Sequence, residues 1–292
     1  MTDCIIIGSG LAGISAALTL KANGKNFLLF GKKQLSDKIV KAESIRNYPG
    51  LFNVSGQAFC EALQSQLKKE EIEIKTEKVS GVYAMKEKFT VTTQEGGMYE
   101  SASVILACGV ESVKPIEGEI EFLGRGVSYC ATCDGFLYKN KKLGVICTNG
   151  EMEHEVEYLA ELASEVYLVA LYKNVTIKKD NVTVIKKMPR KIVGEKRVES
   201  MSFASAPTET LPADLPIDGV FILKDSAPSS VLVGGLETEN GLVKVGVGMA
   251  TNIVGCYAAG DCTGRPYQYT KAAGEGNIAA HSVTEYLRNL QK

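Results

Sequence analysis

Short, wholly apolar runs alternate along this chain with stretches where apolar residues recur every three or four positions. Cys4-Ile5-Ile6-Ile7 is an unbroken apolar run that Gly8 closes, the pattern of a strand over 3–8 buried on both faces of a parallel sheet. Small and apolar residues follow at helical spacing over 11–23 until Gly24, and Phe27-Leu28-Leu29-Phe30 is a second apolar run. Strand, helix and strand are therefore expected in that order. The same alternation returns in mid-chain, with strands over 143–146 and 166–171 flanking a helix over 151–163. Elsewhere the pattern predicts an amphipathic helix from Gln57 to about Lys69, short strands within 72–94, and a strand over 102–107. Near the end, Gly255-Cys256-Tyr257-Ala258-Ala259-Gly260-Asp261 reads as another buried strand, before a helix from about Ala272 to Leu287.

The first of these units carries Gly8-Ser9-Gly10-Leu11-Ala12-Gly13 at the strand–helix turn. In that context the glycines have separate tasks: a tight turn, close approach of a pyrophosphate to the backbone, and close helix–strand packing. The N–H groups of the helix start then meet the phosphates. The second unit has Cys147-Thr148-Asn149-Gly150-Glu151-Met152 in the equivalent place. There a cysteine stands for the turn glycine, Asn149 puts a side chain where phosphate oxygens would lie, and Met152 crowds the packing position. Glu151, Glu153, Glu155 and Glu157 load the expected helix with charge that repels a diphosphate. The following strand ends in Ala170-Leu171-Tyr172-Lys173 rather than in the arginines that a 2′-phosphate site wants. A divergent site that takes a nucleotide in another pose is the alternative. After residue 171 a complete unit would continue through another crossover helix; this one passes into short strand-like pieces at 174–177, 181–186 and 197–204. The expected fold is α/β: two Rossmann-like, three-layer ββα domains, the second reduced and inserted in the first. Residues 1–112 and 226–292 form the first domain and 113–225 the second.

Cys130-Ala131-Thr132-Cys133-Asp134-Gly135 lies between the two units. Two intervening residues let paired sulfurs close a small ring, and the spacing can lower one thiol's pKa, so the pair reads as a redox dithiol. Asp134 is placed to exchange a proton with a departing thiolate, or else is a turn residue before Gly135. Asp261, at a strand end, suits a hydrogen bond to a flavin ribitol or phosphate. A dithiol with one working nucleotide site points to a flavoenzyme whose electrons do not come from a nicotinamide.

Bulk properties narrow this only slightly. With 292 residues, 45% hydrophobic and 23% charged, the chain is long enough for two globular domains. No apolar run reaches the roughly 18–20 residues of a membrane span. Met1-Thr2-Asp3 offers no basic n-region, so a cytoplasmic protein is expected. Cys4, Cys60, Cys108, Cys147, Cys256 and Cys262 are dispersed and read as small buried hydrophobes. One Cys-x-x-Cys and two histidines, His154 and His281, make no zinc or iron–sulfur ligand set, so no metal is expected. Residues 173–197 hold nine lysines and arginines against Asp180 and Glu195, in a protein of net charge −1. That surface either steers an acidic donor protein or is the solvated face of short strands.

Taken together, these residues resemble the low-molecular-weight thioredoxin reductases over nearly the whole chain. The motifs that carry the likeness are Gly124-Arg125-Gly126-Val127-Ser128 leading into the Cys-x-x-Cys, Asn47-Tyr48-Pro49-Gly50, the Ala-Gly-Asp at 259–261, and Ala273-Gly274-Glu275-Gly276. The resemblance implies one FAD per chain in the first domain, a homodimer, Cys133 against the flavin, and Cys130 attacking the thioredoxin disulfide with Asp134 as acid–base partner. The family's Gly-x-Gly-x-x-Ala turn and His-Arg-Arg signature for NADPH are both absent. So is the helix after them. This combination, with the segment Asp261–Tyr269, is similar to the ferredoxin-dependent flavin thioredoxin reductases. It implies ferredoxin as donor, thioredoxin as acceptor, no NADPH, and no nucleic-acid or membrane partner. Candidate cofactor contacts are Gly8, Ser9, Gly10, Leu11, Ala12, Gly13, Phe30, Gly31, Asn47, Val79, Ala107, Cys108, Gly109, Gly260, Asp261, Gln268 and Tyr269. Candidate catalytic residues are Cys130, Cys133 and Asp134.

Overall fold

The computed structural model describes residues 1–40, 42–86, 88–110, 115–224 and 232–290. The chain divides into two compact units, Met1–Glu111 with Pro228–Lys292, and Ser112–Ala227. The boundaries expected at 112/113 and 225/226 lie outside the described residues.

The first unit is built on a mixed sheet. Strand Thr2–Ile7 pairs in parallel with Phe27–Phe30 on one side and with Met98–Leu106 on the other. Ile74–Lys75 extends the sheet beyond Phe27–Phe30, and Cys256–Ala258 pairs in parallel with the end of Met98–Leu106. The antiparallel strands Val79–Ala84 and Phe89–Thr93 complete it, Phe89–Thr93 pairing with the start of Met98–Leu106. The central strands are apolar because helices cover the sheet: Cys4, Ile5 and Ile6 are fully buried. Helix Gly56–Lys69 buries Phe59, Cys60, Leu63 and Leu67, one face at helical spacing, and Ser55 caps it by accepting a hydrogen bond from Ala58 N–H at 3.1 Å.

Helix Leu11–Ala22 packs along the long C-terminal helix Tyr269–Leu290. The contact is close because Gly276 has no side chain: a Cβ there would stand 2.0 Å from the Ala12 carbonyl oxygen. The C-terminal helix starts almost a turn before the expected Ala272, which adds Lys271 to its first turn.

The second unit has a five-stranded parallel sheet in the order Val182–Ile185, Glu165–Ala170, Lys142–Cys147, Gly219–Leu223, Val127–Ser128. A three-stranded antiparallel sheet of Lys191–Gly194, Val198–Ser202 and Asp214–Pro216 accompanies it. The missing crossover helix is confirmed: residues 171–181 connect two parallel strands without one. The strand expected at 174–177 is not formed. Val175 and Ile177 alternate like a strand, but they pack onto the core as part of this irregular crossover. The expected helix 151–163 is split, with a 3₁₀ turn at Gly150–Met152 before helix Glu153–Leu162. No helix among the described residues is long and apolar enough to cross a membrane.

Replacing Gly276 with alanine forces the two helices apart. We expect Gly276→Ala to lower stability by about 1–3 kcal/mol, the usual cost of overpacking, read as a lower urea midpoint with an unchanged slope.

Candidate functional site

The parallel registers of the first unit align four strand ends. Ile7 stands opposite both Phe30 and Leu106, and Leu106 opposite Ala258. The residues that follow (Gly8, Gly31, Ala107, and the Ala259–Asp261 turn) therefore meet along the carboxyl edge of one sheet. Each glycine there is constrained by its neighbours. Gly8 has φ +118°, and a Cβ would meet the Ala107 carbonyl oxygen at 2.2 Å. At Gly13 it would meet the Gly8 oxygen at 1.8 Å. Gly10 is different: nothing lies within 4 Å of where its Cβ would stand. It caps helix Leu11–Ala22, whose first turn holds no acidic residue. Its position is an open approach to N–H groups that have no partner within the helix.

The side chains nearby serve this shape. Ser9 is buried, and its hydroxyl lies 3.0 Å from the Lys32 carbonyl and 3.3 Å from that of Leu35, fastening the loop after the second strand. Leu11, Ala12 and Ala107 are core residues. Phe30 is buried edge-on against Tyr99, so its ring belongs to the core. Cys108 is half-buried with its sulfur 3.6 Å from the Ile7 carbonyl, and Gly109 has φ +71° with open space around it. Asn47 donates to Gln268 Oε1 at 2.7 Å, joining two motifs 221 residues apart. The Tyr269 ring packs edge-on against Phe59, which in turn lies against Tyr48. Val79 opens the antiparallel edge strand, four residues after Lys75, which stands opposite Phe30 at the end of the second parallel strand.

The second unit's helix start is arranged in the opposite way. Asn149 Oδ1 accepts a hydrogen bond from Glu151 N–H at 3.1 Å. Glu153, read from the sequence as a source of repulsion, turns inward instead. Its carboxylate accepts from the Tyr172 hydroxyl at 2.7 Å, from Thr176 N–H at 3.0 Å, and from the Thr176 hydroxyl. Burial pushes its pKa up, but these hydrogen bonds together outweigh that and hold it below the ordinary carboxylate value. Met152 and Cys147 are buried in the core, as their types suggested. One donor that could meet a diphosphate, the Glu151 N–H, is thus taken by the chain's own Asn149.

Cys130 and Cys133 form a disulfide. Cys130 is 8% exposed, whereas Cys133 lies at the surface. Ala131 between them is fully buried in the core, and Gly135 packs on helix Glu153–Leu162, where a Cβ would meet Tyr158 at 3.0 Å. The Cys133 N–H points at Cys130 Sγ across 3.2 Å, a contact that favours negative charge on that sulfur. Ser128, which the sequence placed in a motif without a role of its own, orients the acid: its hydroxyl donates to Asp134 Oδ2 at 2.6 Å and accepts from Cys130 N–H at 3.1 Å. Glu119 accepts from the Tyr129 hydroxyl and pairs with Lys224 at 3.0 Å, all three buried beside this segment. Of the six dispersed cysteines, five are buried. Desolvation pushes the thiols of Cys4, Cys256 and Cys262 up to about 12, which leaves them unreactive. Among the described residues no group of His, Cys, Asp or Glu could hold a metal.

A phosphate-type cradle in one unit and a disulfide in the other define a disulfide oxidoreductase of the nucleotide-binding α/β class. The pyridine nucleotide-disulphide oxidoreductase family model matches residues 2–276, and the chain belongs to that flavin-binding family as a disulfide oxidoreductase of the thioredoxin reductase type. A thioredoxin reductase of Helicobacter pylori is 33% identical over 311 residues, covering 99% of this chain and 100% of the relative. Two solved structures, each of a ferredoxin-flavin thioredoxin reductase from Clostridium acetobutylicum, are 46% and 42% identical, with TM-scores of 0.87 and 0.86. Each alignment covers 99% of this chain and 98% of that one.

The inward carboxylate has a pH signature. Because its folded pKa is depressed, Glu153 contributes stability that is complete above the ordinary carboxylate range and is lost as pH falls through the folded value. We expect Glu153→Gln to destabilise the protein at pH 7, and the gap from the unmodified protein to narrow progressively below about pH 4, as followed by denaturant unfolding at each pH.

Proposed function

We propose that this chain binds one FAD, takes electrons singly from reduced ferredoxin, and reduces the disulfide of thioredoxin through Cys130 and Cys133 without NADPH. The observation that carries the reading is the contrast between the two helix starts: one is open at Gly10 with no acidic residue in its first turn, and the other has Asn149 on the Glu151 N–H and Glu151, Glu153 and Glu155 in its first turns. The likeness to the clostridial ferredoxin-flavin enzymes supports the donor.

The first unit's residues fit a dinucleotide flavin. Gly10 leaves room for a pyrophosphate at the helix N–H groups, no acidic side chain opposes it in that turn, and Asp261 stands at the strand end where a ribitol would run. Gly8, Ser9, Leu11, Ala12, Gly13, Phe30, Gly31, Ala107, Cys108, Gly109 and Gly260 form the walls, with Asn47, Gln268, Tyr269 and Val79 as outer contacts. When bound, FAD supplies the step from single electrons to an electron pair.

The protein's own part is thiol chemistry. Two electrons break the Cys130–Cys133 bond and leave one thiolate and, with one proton, one thiol. The Cys130 thiolate attacks one sulfur of the thioredoxin disulfide; that bond breaks and a mixed disulfide forms. Cys133 then attacks Cys130 Sγ, which restores the internal disulfide and releases the second thioredoxin sulfur. Asp134, fixed by Ser128, takes and returns the proton. Because Cys130 is buried, this exchange requires its sulfur to be uncovered when thioredoxin docks. Ferredoxin at about −400 mV and thioredoxin at about −270 mV leave about 130 mV, or about 6 kcal/mol for two electrons. A homodimer in the cytoplasm completes the proposal.

Anaerobic addition of donors to the purified flavoprotein tests the reading. Reduced ferredoxin should bleach the flavin and yield thioredoxin thiols, while NADPH and NADH leave the spectrum unchanged; rapid bleaching by NADPH refutes it. Either Cys130→Ser or Cys133→Ser should abolish thioredoxin reduction but keep flavin bleaching by ferredoxin. The basic segment 173–197 is proposed to steer the donor. Lys186, exposed just past the end of strand Val182–Ile185, and Lys187 are the residues to reverse. Lys186→Glu with Lys187→Glu should slow ferredoxin-driven reduction and flatten its salt dependence; an unchanged rate removes the docking surface.

A further inference from the structure

The turn after strand Cys256–Ala258 is held in an unusual way. Its 3₁₀ residues Asp261–Thr263 lie between Gly260 at φ +87° and Gly264 at φ +122°. Beneath it, on the C-terminal helix, stand Lys271 and Glu275, at i and i+4 and 3.1 Å apart, with side chains only 18% and 16% exposed. Lys271 Nζ donates to the carbonyls of Gly260 at 2.9 Å and Gly264 at 2.8 Å, and to Thr263 Oγ1 at 2.9 Å. Glu275 Oε2 accepts from Gly260 N–H at 2.8 Å. The Thr263 hydroxyl is 2.8 Å from both Glu275 Oε2 and the Gly260 carbonyl, and its single proton serves one of them at a time.

An i,i+4 pair on a helix surface contributes little, because water screens it and both side chains lose freedom. This pair is not spent on itself. One ammonium collects the carbonyls at both ends of the turn, and one carboxylate takes the N–H at its start. The helix that carries them is referenced to the phosphate cradle by the contact of Gly276 with the Ala12 backbone. Asp261 is the only carboxylate within the turn itself. We infer that Lys271 and Glu275 are positioning residues that staple the Gly260–Gly264 turn to the C-terminal helix, so that Asp261 is presented to the polar chain of a bound flavin with the local charge balanced. This rests on the proposed flavin site.

The test uses the flavin-loaded protein and two readouts, the rate at which FAD is lost to buffer, followed by its fluorescence, and the flavin midpoint potential. Lys271→Met and Glu275→Gln should each speed FAD loss by about tenfold, as expected for losing a charge-assisted hydrogen-bond set. Their potentials should shift in opposite directions: down where the carboxylate is left without its cation, up where the cation is left without its carboxylate. Lys271→Arg should restore most of the retention. Equal retention and unshifted potentials in all variants overturn the inference. So do shifts of the same sign, which mark simple loosening. Purified unmodified protein that holds no FAD refutes the parent reading instead, whatever the variants do.

Discussion

Backbone meets backbone at the carboxyl edge of the first sheet, and the rest of the candidate flavin site depends on that approach. Gly8 lies on Ala107, Gly13 on Gly8, and Gly276 on Ala12, each too close for a single added carbon. Those contacts set the first helix against the sheet and against the last helix. Only with that spacing does the vacant quarter beside Gly10 open onto a helix terminus. The cradle is a by-product of dense packing around it, not of any side chain that reaches into it.

The two units share the strand–turn–helix plan and differ in what satisfies the amide groups at the turn. In the first, an external anion is the natural partner. In the second, the Asn149 side-chain oxygen takes the Glu151 N–H. Glu153 holds Thr176, and with it the irregular crossover that replaces a helix between two parallel strands. The helix-start amide and the shortened connection are thus served by different residues, Asn149 for the first and Glu153 for the second.

Much of this was legible because sterics leave few options. A glycine that must be a glycine, an apolar run that must be covered, and a Cys-x-x-Cys pair each have a narrow set of meanings. The parts that escaped depend on direction rather than type. Glu153 was visible as a charge, but the 3₁₀ turn before it, which changes where that charge points, was not. Val175 and Ile177 alternate as a strand would, yet they serve a connection. Ser128 was visible as the end of a motif but not as the partner of Asp134, and Tyr129 was given no role. Lys271 fell outside a helix expected to start at Ala272. Starting it at Tyr269 puts Lys271 one helical turn before Glu275 on the same face.

The buried group of Glu119, Lys224 and Tyr129 has an evolutionary consequence. Glu119 and Lys224, 105 residues apart, share one charge balance in a buried setting that the Tyr129 hydroxyl completes, so neither charge can drift alone: a neutral partner would strand its counterpart in an apolar setting. Sequence change here must come in concert or not at all. The stretch just ahead of the disulfide should therefore record ancestry more faithfully than the exposed loops around it.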